Sequence, residues 1–174
     1  YTGDVRNLAE IFEEGDESLF LLLDSVKNYK SNGTSNLFCE TDDNDISWLY
    51  IPEPEYKAHR IIYTGNFSPT NNRGSNRKTC VVEFSGKCAF ETMSEEVKKL
   101  PGNLVPISFN YEPNSYVIQD KDTKVKINQI KSHLKNKRIF TLGRFAEWEY
   151  YNMDMCIEKA LAVSEDIRAL AFNN

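Results

Sequence analysis

The stretch Arg138-Ile-Phe-Thr-Leu-Gly-Arg-Phe-Ala-Glu-Trp-Glu-Tyr-Tyr-Asn-Met-Asp-Met-Cys-Ile-Glu-Lys-Ala160 decides how the rest of the chain is read. Its short apolar run, Ile139 to Leu142, reads as a buried strand that stops at Gly143. An amphipathic helix entered at Asn152 follows, with Ile157, Ala160, Leu161, Ile167 and Leu170 at helical spacing. Asn152 suits an N-cap, because its side-chain oxygen can accept a backbone N–H from the first turn. The aromatic connection between strand and helix holds one cation, Arg144. A strand leading through Gly into an exposed helix N-terminus is a site for negative charge. Spacing by itself favours the plainer reading, a strand–loop–helix unit that closes an α/β layer.

Upstream, residues 4–28 carry Leu8, Ile11 and Phe12, then Leu19, Leu22, Leu23 and Val26, at i, i+3, i+4 spacing. This predicts two helices broken at Glu13-Glu14-Gly15-Asp16. Four strands follow at short intervals: Ser35–Glu40, Ile46–Ile51, Arg60–Thr64 and Lys78–Phe84. Such spacing predicts one antiparallel sheet. Asp42-Asp43-Asn44-Asp45 lacks the Gly and terminal Glu of a calcium loop and reads as an acidic turn. Ser94–Leu100 reads as a short helix capped by Ser94, anchored by Val97 and Leu100. Leu104–Tyr111 and Ser115–Gln119 read as two last strands or extended segments. Thr123–Lys135 reads as a helix with Val125, Ile127, Ile130 and Leu134 mostly on one face. Residues 121–138 hold seven Lys/Arg against one acid, a stripe read as the wet face of that helix rather than a partner site.

The 174 residues, 40% hydrophobic and 12% aromatic, suffice for one true core. A net charge of −5 argues against a general nucleic-acid binder. Four cysteines without C-x-x-C spacing and two histidines make a zinc site improbable and read as reduced thiols of a cytoplasmic protein. No apolar run approaches the ~20 residues of a membrane span. There is no Gly-x-Ser-x-Gly elbow, and neither His59 nor His133 has a Ser or Cys in a nucleophile setting. His59 reads as a strand residue, and the plain role for Arg144 is a salt bridge to Glu147 or Glu149. No catalytic residue and no metal ligand is assigned.

Gly143-Arg144, an aromatic four residues on, and Tyr150-Tyr151-Asn152-Met153-Asp154 together resemble the C-terminal flavin motif of UDP-galactopyranose mutases. Related versions occur in protoporphyrinogen oxidases and flavin amine oxidases. The resemblance implies FAD as cofactor, met by Gly143, Arg144, Asn152, Met153 and Asp154. Trp48-Leu-Tyr-Ile-Pro52, His59-Arg-Ile61 and Asn66-Phe-Ser-Pro69 resemble the substrate domain of the same family. This implies that Arg60 faces substrate phosphates and that Tyr116 and Tyr150 contact the diphosphate of a nucleotide sugar. The chain departs from the family pattern at Val117, Asn152 and Tyr63-Thr-Gly65.

None of the eight glycines forms a Gly-x-Gly-x-x-Gly unit, and Tyr1-Thr-Gly3 resembles a run in the middle of the mutases. The expectation is therefore the C-terminal part of a longer flavoprotein whose N-terminal dinucleotide-binding part is missing. The expected fold is α+β. Residues 1–137 would form a substrate-domain antiparallel sheet with helices, and residues 138–174 the last strand and C-terminal helix of a Rossmann-like FAD domain. The expected function is that of a mutase-type isomerase acting on a nucleotide sugar. A flavin-containing amine oxidase or protoporphyrinogen oxidase-like oxidoreductase is the first alternative. A non-catalytic nucleotide-sugar or protein-binding module is the second. Alone, the chain is expected to be inactive, to lack bound FAD and to self-associate.

Overall fold

The computed structural model describes residues 1–13 and 16–172, so Glu14 and Gly15 of the expected helix break lie outside it. The chain forms two compact units, residues 32–115 and residues 1–31 with 116–174. The fold is α+β.

The first unit is built on a sheet of β1 (Ser31–Thr41), β2 (Trp48–Tyr50), β3 (Ala58–Ile62), β4 (Lys78–Ser85) and β5 (Val105–Val117), ordered β2-β3-β4-β1-β5. Strands β2, β3, β4 and β1 pair antiparallel, with Leu37 opposite Val82, Cys39 opposite Cys80, and Ile61 opposite Val82 from the other side. Period-two alternation puts Leu37, Cys39, Ile61, Cys80, Val82 and Phe84 on one buried face. Helix α2 (Phe90–Val97) packs Met93 and Val97 onto that face. Each such side chain contributes about 1.5–3 kcal/mol through burial.

Two expectations are corrected here. Helix α2 starts at Phe90 rather than Ser94, because Phe90, Met93 and Val97 form its apolar stripe; Ser94 falls mid-helix with its Oγ buried and unpaired. The two expected last strands are one, β5. It lies at the sheet edge, where Pro113 can be accommodated without a ladder N–H. The acidic turn pairs with neighbouring cations, Asp42 with Arg77 at 2.7 Å and Asp43 with Lys78 at 3.3 Å. Among the described residues no group of three or more His, Cys, Asp or Glu is placed to hold a metal.

The second unit holds a 3₁₀ turn (Val5–Ile11), α1 (Glu17–Val26), α3 (Thr123–Asn136) and α4 (Met153–Phe172). Asp4 and Asp16 cap the first two by accepting the backbone N–H of Arg6 and Ser18. Leu8, Leu19, Leu23, Val26, Ile127, Ile130 and Leu134 close around Trp148. Val125, expected on the apolar face of α3, is exposed instead. Ile139–Leu142 joins no sheet. Its Ile139 N–H donates to Leu134 O at 2.9 Å, and Tyr1 takes two more of its backbone bonds, the terminal amine donating to Phe140 O at 2.7 Å and the carbonyl accepting from Leu142 N–H at 3.0 Å. No helix among the described residues is long and apolar enough to cross a membrane.

Candidate functional site

Gly143 turns the chain out of the extended segment at φ +108°, a conformation that L side chains rarely adopt, and a Cβ there would meet nothing within 4 Å. Its carbonyl accepts from Glu147 N–H at 3.0 Å, and that of Arg144 accepts from Glu149 N–H at 3.0 Å. The turn ends on Trp148, which holds φ +45° although it is bulky. Packing fixes it there. Nε1 donates to Ile118 O at 3.0 Å, the carbonyl accepts from Gln119, and Arg6, Tyr29 and Phe145 surround the ring.

Arg144 then reaches forward. Its Nε and Nη2 donate to the carbonyl of Tyr151 at 3.2 and 2.7 Å, tying the glycine turn to the entrance of α4. The same guanidinium lies 4.8 Å from the Tyr150 ring centroid and 5.4 Å from that of Tyr116. The two tyrosine rings stack at 5.8 Å and 15°. The structure therefore brings together Gly143, Arg144, Tyr116, Tyr150 and the start of α4.

Asn152 precedes α4, and its carbonyl accepts from Cys156 N–H at 3.0 Å. Met153, Asp154 and Met155 fill the first turn, where backbone N–H groups have no intrahelical acceptor and the helix dipole adds roughly half a positive charge. Open space at Gly143 and these donors suit a flat group with negative charge on its edge. Asp154 sits among them as the one acid of that turn.

Glu147 is buried, and its carboxylate is engaged by Lys131 Nζ, Thr141 Oγ1 and the Tyr151 hydroxyl, the last donating at 2.7 Å. Burial first, and then the bond to Glu147, push the Tyr151 hydroxyl well above the usual tyrosine range. A cavity of about 370 Å³ lies alongside, with Lys124, Lys131, Lys159, Glu147, Tyr150 and Tyr151 in its walls. Lys131 and Lys159 were not singled out from the sequence; the density of lysines in residues 121–138 hinted at the first, and Glu147 was read as a partner for Arg144 rather than for Lys131 and Tyr151.

Arg60 belongs to the sheet unit. Its Nε donates to Glu83 Oε2 at 2.8 Å, and the guanidinium lies over Trp48 at 5.1 Å and Tyr50 at 5.9 Å. His59 Nε2 stands 3.4 Å from the same carboxylate. Burial raises the pKa of Glu83, but hydrogen bonds from His59 and Arg60 outweigh it and hold the carboxyl below its ordinary value. Among the described residues neither constellation pairs a nucleophile with a base; what they present is charged, hydroxyl and backbone hydrogen-bonding groups.

No protein-family model and no curated protein matches the chain. Solved structures do. The crystal structure of reduced UDP-galactopyranose mutase superposes with a TM-score of 0.70 at 16% identity, over 86% of this chain and 36% of that one. A putative protoporphyrinogen oxidase from Exiguobacterium sp. 255-15 superposes with a TM-score of 0.59 at 8% identity, over 95% of this chain and 40% of that one. The chain thus has a UDP-galactopyranose mutase- and protoporphyrinogen oxidase-like fold, and spans less than half the length of either structure.

Proposed function

We propose that this chain supplies the substrate-side sheet and the ring-side half of the flavin site of an FAD-dependent enzyme, most like a UDP-galactopyranose mutase-type isomerase. Residues 138–174 would be the C-terminal strand–loop–helix of the FAD domain. The observation that carries the reading is Arg144, which links the Gly143 turn, the Tyr116–Tyr150 stack and the first residues of α4. When bound, the flavin supplies the electron chemistry. Gly143 would leave room for the ring, the amides after Asn152 would offer donors to it, and Met153 and Asp154 would hold that helix turn. Arg144 would add a positive charge and a planar set of donors there.

For the substrate, Tyr116 and Tyr150 offer hydroxyls and Arg60 a planar cation, donor types that recognise a diphosphate. Titration of the proposed longer parent flavoprotein, loaded with FAD, with uridine diphosphate, followed by calorimetry, tests this. Binding should weaken roughly tenfold in Tyr150→Phe and more in Arg60→Ala, the scale of a hydrogen bond to a charged group. Binding that ignores both substitutions, or no binding, sinks the nucleotide-sugar assignment. The oxidase alternative then leads, because the flavin half of the proposal does not depend on Arg60.

A further inference from the structure

We propose that Cys39 and Cys80 form a dithiol site that closes into a disulfide, tying β1 to β4, when the chain meets a low-molecular-weight disulfide. The two residues face each other directly in the antiparallel register. Facing residues point to the same side of a sheet, with Cα atoms about 4.5 or 5.5 Å apart depending on their place in the ladder. Both spacings fall inside the roughly 4.4–6.8 Å that a disulfide spans. Both side chains are buried in the sheet core.

The hydrogen bond with Cys80 first, and then burial, raise the pKa of Cys39, so the pair rests as a dithiol until an oxidant arrives. Phe38, Thr79 and Val81 line a cavity of about 320 Å³ on the outer face of the sheet, whereas the Cys39 and Cys80 side chains turn to the buried face, so a small disulfide reaches them through local opening of the β1–β4 ladder. Cys88 lies beyond the end of β4 and Cys156 lies in α4, and neither is the register partner of a cysteine.

The exchange balances. One cysteine loses its proton and attacks a sulfur of the small disulfide; the S–S bond breaks and one thiolate leaves, taking up that proton as a free thiol. The second cysteine loses its proton and attacks the mixed disulfide, releasing the second small thiol. Two cysteine thiols are oxidised and one small disulfide is reduced.

The test incubates the folded chain with glutathione disulfide at neutral pH and reads intact mass and a non-reducing peptide map. The expected result is a loss of about 2 Da per chain, a single linked peptide pair holding Cys39 and Cys80, and an unfolding midpoint shifted to higher urea. The link should persist in the Cys88→Ser/Cys156→Ser double variant. It should vanish in Cys80→Ser, which keeps its mass or gains one glutathione. Should Cys80→Ser fail to fold, the double variant still decides, because it retains both core thiols. No mass loss after equilibration, or a link running through Cys88 or Cys156, overturns the proposal.

Discussion

In the sheet unit Leu37, Ile61 and Val82 are fully buried, whereas on α4 Met153, Ile157, Leu161 and Ile167 stand 86, 63, 65 and 48% exposed. Both regions carry a clear apolar period in sequence, two residues on the strands and about 3.6 on the helix. The strands find a partner in α2 and in each other, as the pattern of alternate burial records. On α4 those four side chains stay largely exposed among the described residues. An apolar period states what a segment can bury, not that anything covers it. In the proposed flavoprotein that stripe would lie against further parts of the fold; in the chain by itself it is a sticky surface.

Core truncations should break the comparison most visibly. Phe84→Ala in the sheet core and Trp148→Ala in the helical core should each cost about 3–5 kcal/mol in urea unfolding, the usual range for a buried aromatic. A cost near 1 kcal/mol for either would mean that its core is loosely packed.

Acid should act on the sheet unit next. Glu83 has a lowered folded pKa, so its contribution to stability is present above the ordinary carboxylate value of 4.5 and is lost as pH falls through the lower, folded value. Urea midpoints measured from neutral to acid pH should therefore fall less steeply in Glu83→Gln than in the unmodified chain. Equal slopes would remove Glu83 from the account.

Substitutions on α4 sharpen the contrast from the weak end. Sedimentation at high concentration should show the isolated chain associating, and Ile157→Glu with Leu161→Glu should return it to monomer. A monomeric unmodified chain contradicts this. Leu161→Ala should change stability by no more than about 0.5 kcal/mol, as for an exposed position.

Much of the sheet was legible because β1, β3 and β4 alternate cleanly between turn residues. The sequence misread β5 as two pieces, since Glu112-Pro-Asn-Ser115 looks like a break until its edge position is known. It also misread Ile139–Leu142, where composition suits a strand but backbone partners decide. At the site, Gly143 and Arg144 stood out from the strand–glycine–helix pattern, whereas the tyrosines were visible only through a family motif. The turn after Gly143 ends on Trp148 in a left-handed backbone, which no propensity suggests for tryptophan. Glu147 read as a partner for Arg144, and is buried against Lys131, Thr141 and Tyr151.

The most direct test is the midpoint potential of the proposed longer parent flavoprotein, loaded with FAD and carrying Arg144→Ala. If the Gly143 turn and the start of α4 face the flavin, losing this cation should make the cofactor harder to reduce. The expected drop is on the order of 30 mV, equivalent to about 1.4 kcal/mol for a two-electron couple, with a smaller effect on FAD affinity. An unchanged potential together with a lower melting temperature would mean that Arg144 only braces Tyr116, Tyr150 and Tyr151, and would contradict the assignment.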